Sequence, residues 1–88
     1  MKMEFPKDLF AELYEAFPAL KDSISFFIRT NRVLSVVALV DSRIRASEAV
    51  ANVAEIGFGR EDDRYVQAKK QAEKFKILKD KVVAFAEA

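Results

Sequence analysis

The sequence contains no cysteine and no histidine, and only two glycines and two prolines. Without cysteine there is no disulfide framework, no iron–sulfur cluster and no thiol nucleophile. Without histidine the usual general base near neutral pH and the commonest metal ligand are missing, and with them every Ser-His or Cys-His arrangement. A zinc site would have to be built from carboxylates alone, and the Glu-x-x-His pairs of di-iron bundles cannot be made. The remaining Asp, Glu, Ser, Thr, Lys and Tyr residues form no spaced catalytic constellation. A non-enzymatic chain without cofactor or metal is therefore expected.

An excess of one charge is also lacking. The 15 basic and 14 acidic side chains leave a net charge of +1, whereas a dedicated nucleic-acid coat needs a strong basic excess. Long hydrophobic runs are absent too. The most apolar stretch, Val33 to Val40, is too short to span a bilayer, so no membrane partner is expected. The opening Met1-Lys2-Met3-Glu4-Phe5-Pro6 carries neither an apolar h-region nor a small-residue cleavage site. With the missing cysteines, that sets a cytoplasmic location as the expectation.

What is present is material for a core. The chain has 88 residues, 51% of them hydrophobic, including eight Phe. That is enough for one small domain, residues 1–88, that folds alone or with copies of itself. The scarce glycines and prolines divide it into three segments. From Pro6 to Phe17, Leu9, Phe10, Leu13, Tyr14 and Phe17 recur at threes and fours, the spacing of one helical face. Pro6 suits the first helical position, and Pro18 disfavours helical geometry at Phe17. From Leu20 to Ile56 neither Gly nor Pro intervenes. Leu20, Ile24, Phe27 and Ile28 form one stripe. Val33, Val37, Val40, Ile44, Ser47, Ala51 and Ala54 then form a heptad-like seam that ends in small residues. Breaks at Thr30-Asn31 or Asp41-Ser42 are open, because such residues compete for backbone hydrogen bonds. One long helix or two shorter ones both fit. Val33 to Val40 is β-branched enough for a buried strand, but no strand partner exists elsewhere, and helix is the better reading.

Gly57-Phe58-Gly59 is the clearest turn, followed by Glu61-Asp62-Asp63 where a helix start favours negative charge. From Arg60 to Ala86, Tyr65, Ala68, Ala72, Phe75, Leu78, Val82 and Phe85 hold one face across nearly four heptads. The expectation is an all-α fold: a short N-terminal helix and a long, coiled-coil-like antiparallel hairpin, completed by oligomerisation.

The apolar run around Val33 to Val40 exceeds what a hairpin and one short helix would cover, and exposed patches of that size mark interfaces. Hence the expected function is a protein–protein interaction or assembly module. It would be homo-oligomeric through Val33, Val37, Val40, Ile44, Ala51 and Ala54, or bound to a protein partner. Its size suits a small adaptor, structural or inhibitory protein of a phage or mobile element. The alternative is a small nucleic-acid-associated protein. On one continuous helix, Arg29, Arg32 and Arg43 fall within about 60° and would contact phosphates or acidic side chains. Lys69, Lys70, Lys74, Lys76, Lys79 and Lys81 are better read as a solvated face, since lysines toward a helix end suit its dipole.

Overall fold

Pro6 ends an extended start and opens the first helix, α1 (Lys7–Ala16), its carbonyl accepting from the Phe10 N–H at 3.1 Å. Phe5, just ahead of this cap, meets the Phe10 ring at 4.8 Å and the Phe85 ring at 5.0 Å. The Phe5–Phe10 contact is a hydrophobic staple across the helix start. The computed structural model describes residues 4–88; Met1, Lys2 and Met3, part of the stretch read above for a signal peptide, lie outside it. Pro18 stops α1 as expected, and a single 3-10 turn (Pro18–Leu20) leads into α2 (Lys21–Arg29).

Between Leu20 and Ile56 the chain is two helices, not one. The break falls at Thr30-Asn31-Arg32, where Asn31 adopts a φ of 60°. The Arg32 N–H donates to the Phe27 carbonyl and the Asn31 N–H to that of Ile28. Together these bonds make a Schellman motif with Asn in the left-handed position usually held by Gly. The Thr30 hydroxyl adds a 2.8 Å bond to the Phe26 carbonyl. Asp41-Ser42, the other candidate break, lies inside an uninterrupted helix, α3 (Val33–Phe58). Val33 to Val40 is its first two turns; among the described residues there is no strand.

The second turn closes α3 onto α4 (Asp63–Glu87). Gly57 is still helical; Gly59 makes the bend, at φ 90° and ψ 166°. Asp62 caps α4 by accepting from the Arg64 N–H at 2.9 Å. Opposite numbering along the two helices shows that they run antiparallel: Asp41 pairs with Lys79, Glu48 with Lys76, and Phe58 stacks with Arg64. The expected helical hairpin is present.

Its two ends are built differently. At the root, α1 and α2 fold onto the hairpin, and Leu9, Leu13, Phe17 and Ile24 pack with Val36, Val40, Ile44, Phe75, Leu78 and Val82. Lys81 reaches Glu12 at 3.0 Å, tying α4 to α1. Toward the tip, among the described residues, only α3 and α4 remain, joined through Ser47, Ala51 and Ala54 on one side and Ala68 and Ala72 on the other, all buried. Tyr14 stands at the root and Tyr65, half-buried, at the start of α4 near the tip. The protruding hairpin makes the molecule 51 × 23 × 19 Å, with a radius of gyration of 14.6 Å. A globular chain of this length would have about 12 Å.

Candidate functional site

Helix geometry decides what the hairpin leaves uncovered. On α3 the residues facing α4 are Val36, Val40, Ile44, Ser47, Ala51 and Ala54, every one of them buried. Val40, Ile44, Ala51 and Ala54, read from the sequence as an interface between copies, are thus occupied inside a single chain. Val33 and Val37 are half-buried beside the core at the root. Val36, absent from the sequence seam, is fully buried. It lies about 40° from Val40 around the helix, within the same covered arc. Of the Val33 to Val40 run, only Leu34 is a largely exposed bulky residue; the excess apolar surface expected there is covered.

The uncovered apolar surface lies further along. Ala46, Val50, Val53 and Gly57 follow one another at four, three and four residues and fall within about 60° of one another, roughly 100° around the helix from the face against α4. Val50 is 57% exposed and Val53 70%. Three adjoining depressions meet at Val50. One runs to the root, against Phe17, Pro18, Leu20 and Arg43. One crosses to α4, against Gln67, Lys70, Gln71 and Lys74. The third runs to the tip and is lined by Ala49, Val53, Ala54, Phe58 and Arg64. Together they form a shallow groove along the bare half of the hairpin, walled at the root by the Pro18–Leu20 turn. Sequence reasoning missed Val50 and Val53, although the four-three-four stripe was there to read. The buried seam beside it is longer and masked it.

Two arginine pairs gather at the tip. The Arg64 guanidinium sits 3.3 Å from the Phe58 ring centroid while its Nε donates to Asp62 at 2.9 Å, a cation–π contact locked by an ion pair. Arg60 donates to Glu55 at 2.8 Å across the turn. The hydrogen bonds from the Arg64 side chain and backbone hold the Asp62 carboxyl below its ordinary value. This is the capping role expected of the acidic cluster. On the opposite flank, the Lys79 ammonium donates to Asp41 at 2.8 Å and, with Arg45, holds that carboxyl low.

The basic features separate. Arg29 and Arg32 lie at and beyond the end of α2, and Arg43 lies on α3; all three are exposed. The common arginine face required one continuous helix, and the left-handed Asn31 removes it. Lys76, Lys79 and Lys81 are engaged with Glu48 and Glu73, Asp41 and Glu12 respectively. Among the described residues, Lys69, Lys70, Lys74 and Arg43 make no ion pair. No helix among the described residues is long and apolar enough to cross a membrane. Comparison with protein-family models, with curated proteins and with solved structures finds no match to this chain.

Proposed function

We propose that the chain is a non-enzymatic assembly module that associates through the groove centred on Val50, not through the seam it uses for its own fold. One observation carries this reading: an apolar stripe with Val50 and Val53 more than half exposed, on the half of the hairpin that, among the described residues, no other element covers. Packing a further helix into that groove would turn a two-helix stem into a bundle, in which each helix has two neighbours. The other large exposed apolar side chains on the root half, Phe26, Leu34 and Ile77, lie on three different helices, and scattered surface residues of this kind are ordinary.

The test separates docking from folding. Val53→Asp alters an exposed side chain, so the chain should keep its helicity, and its unfolding midpoint should fall by no more than the stability that association itself adds. Its mass by light scattering after size-exclusion chromatography should fall to that of a monomer. Val40→Asp places an unpaired charge at a position 1% exposed and should unfold the chain outright. A Val53→Asp chain that keeps the wild-type assembled mass would overturn the reading, as would a wild-type chain that is monomeric at every concentration.

A further inference from the structure

Resting on that reading, we infer that the groove's occupant is a second copy of this chain, lying antiparallel across a two-fold axis near Val50 and Val53. The charge around the groove is lopsided, basic on its root lining and acidic on the turn just beyond its tip end. Its root end is rimmed by Arg43 and Lys74, with Lys70 further along and Glu15 the single acid on the lining there. Among the described residues neither Arg43 nor Lys74 has an ion-pair partner. At the tip, Arg60 and Arg64 are already paired with Glu55 and Asp62. The acidic Glu61 and Asp63 are left exposed and, among the described residues, without a cation.

A parallel pairing would set Arg43 beside Arg43 and Glu61 beside Glu61, like charges facing each other at both ends. An antiparallel pairing does the reverse. With Val50 of one copy against Val53 of the other, the stripe's spacing puts Ala46 opposite Gly57. It also brings Arg43 to the turn, where Arg60 is already paired with Glu55 and Glu61 and Asp63 are free to meet it. Each complementary contact then occurs twice, as a two-fold interface requires. The small side chains at Ala46 and Gly57 allow close backbone approach, and the Pro18–Leu20 wall stops the incoming tip.

The absence of cysteine allows a direct test of the register by single-cysteine cross-linking. In the antiparallel pair, residue 46 and its copy stand about 16 Å apart along the helix at 1.5 Å per residue, beyond the reach of a disulfide. An Ala46→Cys chain oxidised alone, and a Gly57→Cys chain oxidised alone, should therefore remain uncross-linked; their mixture should give a covalent dimer. Arg43→Glu with Lys74→Glu should weaken self-association at least about tenfold at low salt. Adding Glu61→Lys and Asp63→Lys to the same chain should restore it, with helicity by circular dichroism unchanged throughout. Cross-linking of Ala46→Cys with itself, or a dimer that gives no cross-link in the mixture, would overturn the antiparallel inference and leave the assembly reading standing. A monomeric wild type would overturn both.

Discussion

Two glycines separated by one residue carry opposite consequences. Gly57 is helical, and a Cβ built on it meets nothing within 4 Å. Alanine there should stabilise the unassociated chain by about 0.5–1 kcal/mol, because the unfolded state loses freedom and the helix gains a better former. Gly59 sits at φ 90° and ψ 166°, a region open essentially to glycine, so Gly59→Ala should destabilise by about 1–3 kcal/mol. Urea unfolding of the two variants beside wild type reads both signs at once. The carboxyls of Asp41 and Asp62 make a second residue-scale case. Both bind protons more weakly in the folded chain than in the unfolded one, so their stabilising contribution is fully present above the ordinary carboxylate range. It fades as pH falls through their lowered values. Both groups are solvent-accessible, and salt should blunt the effect. Unfolding midpoints measured from pH 6 to pH 2.5 should fall on acidification, and Asp41→Asn should make that fall shallower.

At the scale of elements, the short helices are what turn a hairpin into a domain. Leu13 is fully buried and belongs to the root core through which α1 joins the hairpin. Leu13→Ala should cost about 2–5 kcal/mol, a large share of what a domain this size possesses; thermal or urea melts would register it directly. Helix α4 was legible because Tyr65 to Phe85 keeps one periodic face between a capped start and the chain's last residues. The split of the middle segment was only half legible. Thr30-Asn31 and Asp41-Ser42 are alike as residue pairs. What distinguishes them is tertiary: the stripe from Ile24 to Ile28 must meet α3 and the root core, which needs a reversal at Asn31, whereas Asp41 is held in helix by Arg45 one turn on and Lys79 across the hairpin. The arginine face failed with that reversal, because a helical-wheel angle has meaning only along one helix. The Val50 groove was hidden for another reason. Periodicity marks apolar faces without saying which one the chain's own partner helix takes, and the longer seam was taken by α4.

Across the whole molecule, side-chain volume is distributed unevenly. Phe5, Leu9, Leu13, Phe17, Phe75 and Leu78 fill the root, whereas serine and alanine hold the stem together toward the tip. Apolar burial scales with area, so the stem gains less per turn from its own packing than the root does. A further neighbour along the groove would add cohesion where the chain alone has least. The same polarity has an optical consequence. With no tryptophan in the chain, near-ultraviolet emission comes from Tyr14 at the root and Tyr65 by the tip, one fluorophore per end. Removing either with a Tyr→Phe change leaves a chain whose intrinsic light reports on one end alone, so each half of the molecule can be followed by eliminating the other's signal and attaching nothing.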